Sequence, residues 1–226
     1  TLAAQNGFTP DYYIGYTGGH IVPTGNGSTF LSINSVTNNV SVTQKIDKFT
    51  LGLVTEDNSF LGNYANSQLM RVNGSNTAYL GYSDDFDFGN GVNLFGSATF
   101  GATKLSVDNT SMLKSADIMM SNSATLGMRQ TVGTSTFGFV ASMPVSITSG
   151  KANFNIASSV SANGDIQSSD ISSSMSTTNR EIDFGLFYNY NPTKNSALAL
   201  NVELRNNYAG TDTDQLHTGI SYKVMF

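Results

Sequence analysis

A two-residue period that persists to the last residue constrains this chain more than any other feature. In residues 216–226, Phe226, Val224, Tyr222 and Ile220 fall on one face of a strand, and Lys223, Ser221, Gly219 and His217 on the other. Just upstream, Leu198, Leu200, Val202 and Leu204 oppose Ala199, Asn201, Glu203 and Arg205. Before that, Ile182, Phe184, Leu186, Tyr188 and Tyr190 oppose Glu181, Asp183, Gly185 and Asn189. Helical spacing is almost nowhere to be found, so the sequence predicts an all-β fold.

Composition narrows the solvent such strands face. Charged residues are 12% of the chain, about half the usual share in soluble domains. Mean hydropathy is only −0.13, and no apolar run approaches the ~18 residues of a spanning helix. Little charge with much Ser, Asn, Thr and Gly is what an alternation of lipid-facing and water-facing residues averages to. The absence of cysteine removes disulfides, thiolate metal sites and thiol nucleophiles. A net charge of −5 and a pI near 4.8 speak against nucleic acid as a partner. Thr1 is not followed by a basic and then apolar leader, so any export signal is expected to lie upstream or to have been removed.

Turn chemistry separates the strands. Asn90-Gly91, Val132-Gly133-Thr134, Ser149-Gly150, Asn163-Gly164 and Asn191-Pro192 all sit between alternating runs. Runs at 28–35 and 39–46, at Phe49-Leu51-Leu53, Ala78-Leu80-Tyr82, Val92 to Phe100, Ala124-Leu126-Met128, Phe137-Phe139-Ala141 and Ala152-Phe154-Ile156, and a Ser-rich strand at 166–175 precede the two described above. With the closing strand they predict an antiparallel up-and-down β-barrel of about twelve strands, of the outer-membrane type. Short turns at the rim where Phe226 ends should alternate with longer loops at the other rim. Residues 27–226 form this barrel domain, and residues 1–26, with Pro10 and Pro23 and neither period, are an extended lead-in.

Phe49-Thr50-Leu51-Gly52-Leu53 with Glu56 and Leu61-Gly62 begins an ordered set of short matches. It continues through Thr77-Ala78-Tyr79-Leu80-Gly81, residues 96–101, Met143-Pro144-Val145, Arg180-Glu181-Ile182-Asp183 and Arg205-Asn206. From about Lys48 to Phe226 the set resembles the C-terminal translocator β-domain of autotransporters, most of all those with subtilisin-like serine protease passengers. The resemblance implies an outer-membrane barrel that anchors and assists export of an upstream passenger polypeptide, with no enzymatic activity of its own. Its partners would be outer-membrane lipid and the barrel-assembly machinery, which would read Ile220, Tyr222, Val224 and Phe226 of the closing strand as an assembly signal.

No catalytic, cofactor or metal site is expected. There are two histidines, His20 and His217, no Gly-x-Ser-x-Gly elbow and no phosphate loop. Asp84, Asp85 and Asp87 lack the glycine and glutamate spacing of a calcium loop and are expected to be a solvated strand end. Glu181, Asp183, Glu203, Arg205 and Lys223 fall on the polar face, where neighbouring strands would pair them inside the lumen. Phe184, Leu186, Tyr188, Leu198, Leu200, Val202, Tyr222 and Val224 would face outward. The competing expectation is a non-catalytic β-rich subunit of a secreted or cell-surface assembly, whose strands pair between copies.

Overall fold

The computed structural model describes residues 19–24, 27–34, 39–193 and 196–224. It is all-β. The strands, in chain order, are β1 (Gly19–Thr24), β2 (Gly27–Asn34), β3 (Asn39–Ile46), β4 (Phe49–Asp57), β5 (Ser59–Phe60), β6 (Asn63–Tyr64), β7 (Val72–Gly89) and β8 (Val92–Val107). They continue as β9 (Leu113–Ala116), β10 (Met119–Val132), β11 (Ser135–Ser149), β12 (Lys151–Val160), β13 (Ile166–Ser174), β14 (Ile182–Thr193), β15 (Ser196–Asn206) and β16 (Gln215–Val224).

Eleven strands make one sheet in the order β1-β2-β3-β4-β7-β8-β10-β11-β14-β15-β16. Its connections alternate in length. Two residues separate β1 from β2, β3 from β4, β7 from β8, β10 from β11 and β14 from β15, whereas residues 35–38, 58–71, 108–118, 150–181 and 207–214 link the intervening pairs. Asn90 and Gly91, the turn between β7 and β8, both have positive φ (53° and 77°), the backbone that a two-residue hairpin requires and that Asn-Gly supplies.

Two expected barrel strands belong elsewhere. Residues 152–156 and 166–175 do form strands, but β12 and β13 pair with β9 in a separate three-stranded sheet of order β13-β12-β9. The main sheet therefore has eleven described strands where about twelve are expected. The reason is visible in β13: all nine residues are exposed, and Ile166 and Ile171, five apart, fall on opposite faces and make no apolar side. Because both strands lie inside the single connection 150–181, the alternation of short and long links is preserved. β1 falls within the stretch expected to be a lead-in, and it pairs with β2 from Gly19↔Ser32 to Thr24↔Gly27; the rest of that stretch lies outside the described residues.

The chain divides into two compact units. The first takes its described residues from 1–81, 99–122 and 145–176. It contains an ordinary apolar core of Phe60, Ala65, Val72, Leu105, Leu113, Met119 and Ala152, against which Leu61, Ile147, Phe154 and Met175 pack. β5, β6, β9 and β12, elements of the long connections, supply four of the seven core residues or their immediate neighbours. The second unit takes residues 82–98, 123–144 and 177–226. Within it β14 pairs with β11 and β15, and β15 with β16, in one uninterrupted antiparallel run from Ser196↔Val224 to Arg205↔Gln215.

Candidate functional site

Register places the apolar residues of neighbouring strands side by side. In the second unit Phe184 faces Leu204, Leu186 faces Val202 and Tyr188 faces Leu200, while Leu198 faces Tyr222 and Leu200 faces Ile220. Because side chains alternate along each strand, these pairs share one face of the sheet. That face is open: Leu186 is 63% exposed, Val202 43% and Ile220 79%. In the first unit Val42 faces Leu53 and Ile46 faces Phe49, and all four are exposed.

The opposite face is polar and covered. Ser41, Thr43, Glu56, Ser75, Thr77, Thr99, Thr103 and Ser121 of the first unit are all buried. Several of them pair: Thr43 Oγ1 and Tyr79 Oη lie 2.6 Å apart, and Thr77 Oγ1 and Thr103 Oγ1 2.8 Å, while the buried Ser41 hydroxyl has no hydrogen-bond partner among the described residues. Glu56 accepts from the Gly62 N–H at 2.8 Å through Oε1 and from the Ser75 hydroxyl at 3.1 Å through Oε2. Glycines make room for large rings on this face, with the Tyr79 ring over Gly52 in the first unit and Phe95 over Gly127 and Phe187 over Gly138 in the second. Such aromatic cover of a strand glycine pins register.

Four of the five charged residues expected on the inner face come together in the second unit. Asp183 is buried and stands opposite Arg205 in the β14–β15 register. Arg205 Nη2 donates to Glu203 Oε2 at 3.0 Å, and its guanidinium lies 5.7 Å from the centroid of the Tyr208 ring. Glu181 accepts from the Ala209 N–H at 2.8 Å, tying it to the 3-10 turn Tyr208–Gly210. The fifth, Lys223, stands apart: it faces Ala197, while Arg205 faces Gln215 eight residues along β16, roughly 27 Å at ~3.4 Å per residue. His217 faces Glu203 and is within 3.0 Å of the Gln215 side-chain oxygen through Nε2. On β16, the last strand in the sheet order, His217, Ser221 and Lys223 are exposed along with Ile220, Tyr222 and Val224. Phe226 lies outside the described residues.

The acidic trio does not converge on one point. Asp85 pairs with Arg129 and accepts from Asn93, Asp84 accepts from the Tyr82 hydroxyl, and Asp87 accepts from the Gly89 N–H. Among the described residues no three His, Asp or Glu side chains are arranged to hold a metal ion. His20 lies on β1, opposite Leu31. The sequence assigned no contacts to Glu56, Tyr79, Arg129 or Tyr208; Tyr79 meets Thr43 and Arg129 meets Asp85 across strands far apart in the chain. No helix among the described residues is long and apolar enough to cross a membrane, which says nothing of strands. No family model, curated protein or solved structure matches this chain.

Proposed function

We propose that this chain is an outer-membrane protein whose main sheet closes into a barrel, apolar face to lipid and polar face to the lumen. One observation carries the reading: burial is inverted. Exposed Leu, Ile, Val and Phe cover one face of the strands while hydroxyls and a carboxylate fill the other. In water each exposed apolar Å² forgoes about 25 cal/mol, and monomers rarely expose continuous apolar surface of this kind. In a bilayer the same face is the favourable one, and the paired backbone of a closed sheet meets the demand that no polar group face hydrocarbon. Two-residue turns alternating with long connections are the further mark of such barrels.

The finer proposal is that the barrel anchors and assists export of an upstream passenger. It is supported by the ordered resemblance to autotransporter translocator domains and by the alternation in the closing strand. A covered polar face in the first unit suits a protein whose work is mechanical.

The chain has no tryptophan, so single-tryptophan reporters are clean. Leu53→Trp, Leu200→Trp and Ile220→Trp, reconstituted in vesicles with brominated acyl chains, should be strongly quenched, and Asn201→Trp weakly. Equal quenching at all four positions would overturn the lipid-facing assignment. If the apolar-face reporters stay unquenched in a protein that self-associates, the surface-assembly reading takes its place. Export is tested by an epitope-tagged segment placed upstream: protease accessibility on intact cells supports it, and a segment left in the periplasm beside an inserted barrel removes it.

A further inference from the structure

We infer that a depression on the first unit, between residues 68–71, residues 110–114 and Asn155, binds a sugar carrying a phosphate or carboxylate. The cavity is about 390 Å³ and is lined by Gln68, Arg71, Thr110, Ser111, Lys114 and Asn155, together with Met112. That volume falls within the range of small-molecule sites, and it suits a single sugar ring.

The frame is built by backbone hydrogen bonds. Met112 N–H donates to Gln68 O at 2.9 Å, Leu113 N–H to Leu69 O at 3.1 Å, Asp108 N–H to Arg71 O at 3.1 Å and Asn155 N–H to Met112 O at 2.8 Å. Beneath it Leu113 and Val72 are fully buried in the apolar core. The walls are therefore held before any ligand arrives, which lowers the ordering cost of binding.

The charge of the site opposes that of the chain. The protein carries 11 Lys and Arg against 16 Asp and Glu, yet the two charged side chains that line this depression are both cations, Arg71 and Lys114, and the acids beside it, Asp108 and Asp170, stand outside the lining. Asp108 Oδ1 accepts from both the Thr110 N–H and the Thr110 hydroxyl at 2.8 Å, and the Arg71 charge acts on it more weakly than those bonds do. Those bonds, the backbone one first, hold its carboxyl below the ordinary value. Arg71 Nη1 donates to Thr110 Oγ1 at 3.3 Å, and its Nε is buried without a hydrogen-bond partner. Lys114 Nζ is steadied by two neutral acceptors, Asn109 O and Ser111 O, at 3.2 and 2.9 Å, and these leave its charge uncompensated. A guanidinium and an ammonium converging on one cavity suit an oxyanion.

A bare anion would not use the rest of the lining. Asn155 spends its amide on Asp170 Oδ1 at 2.7 Å and keeps its carbonyl oxygen as an acceptor. Gln68 adds an amide beside it, while the buried Ser111 hydroxyl is spent on Asp108 O and Leu113 O and serves the frame. Donors and acceptors together, next to two cations, match the hydroxyls of a sugar adjoining its anionic group. Sequence reading gave no hint of this site, because its residues come from three connections.

The test is calorimetric titration of the full chain, folded in detergent, with glucose 1-phosphate, glucuronate, glucose and inorganic phosphate. Saturable binding of one of the two anionic sugars is expected, with glucose and phosphate at least tenfold weaker. Arg71→Gln and Lys114→Gln should each weaken it about tenfold, and Lys45→Gln, at an exposed position of β3, should leave it unchanged. Lys114 is exposed, so its variant separates lost binding from lost folding. A glycolipid bearing sugar phosphates, presented in mixed micelles, distinguishes sources: tighter binding than glucose 1-phosphate assigns the site to a lipid headgroup, and equal or weaker binding to a free sugar. No saturable binding of either anionic sugar, phosphate binding as tight as the sugars, or undiminished binding in the double variant R71Q/K114Q would each overturn the proposal.

Discussion

Glu56 shows at single-residue scale how the polar face is held. Its carboxylate is 4% exposed and serves two donors, the Gly62 N–H and the Ser75 hydroxyl. Removing it leaves both without an acceptor in a covered position, which costs about 1–3 kcal/mol. Glu56→Ala should therefore lower the midpoint of urea unfolding from vesicles by that equivalent, and Glu56→Gln, which keeps an acceptor, by clearly less. Equal losses would mean that the carboxylate acts through its charge. The alternation around Leu51 and Leu53 was legible in the sequence. That Tyr79 lies over Gly52 and meets Thr43 was not, because register between strands comes from pairing and leaves no trace in either strand alone.

At the scale of elements, the hairpin of β12 and β13 shows what a period can and cannot specify. Alternation marked the first strand, and the Asn163-Gly164 turn with the alternation of short and long connections marked the second; the sheet they join is set by their apolar side. β12 turns Ala152 and Phe154 toward the first unit's core and pairs with β9 there, while β13 has no apolar face to offer. Beyond Ala157, which pairs with Ser168, nearly every residue of the hairpin is exposed. Replacing residues 158–167 with Asn-Gly should therefore change stability by no more than about 0.5 kcal/mol and leave the folded yield unaltered. The check is heat-sensitive gel migration of the folded form beside the wild type. A variant that fails to fold would show that the hairpin tip makes contacts its exposure conceals. The separate cluster of Glu181, Asp183, Glu203 and Arg205 was legible from face and spacing. Tyr208, which the guanidinium covers, was not, since Asn207 and Ala209 reach it through a turn with φ near 55° that no local rule foretells.

For the molecule as a whole, the inversion of burial makes an asymmetric prediction. Leu200→Arg, on the apolar face, should cost about 2–4 kcal/mol in a bilayer if the position lies near the midplane, and less near an interface. Asn201→Arg, one residue on and on the opposite face, should cost far less. Folding titrations of the two variants in the same vesicles decide it; equal costs would remove the lipid from the account. The all-β fold and the alternation of short and long connections were foreseen because they depend on patterns within the chain. The number of strands in the main sheet was not, since the period within a strand does not say which sheet the strand joins.

The cluster around Phe60, Val72, Leu113, Met119 and Ala152 is packed as in a water-soluble protein, although the same chain turns Leu53, Leu186 and Ile220 outward. On the proposed reading, one polypeptide answers to two solvents. Urea weakens the cluster by solvating apolar groups, and a change of detergent acts on the outward face instead. Denaturation followed at both places need not be a single event.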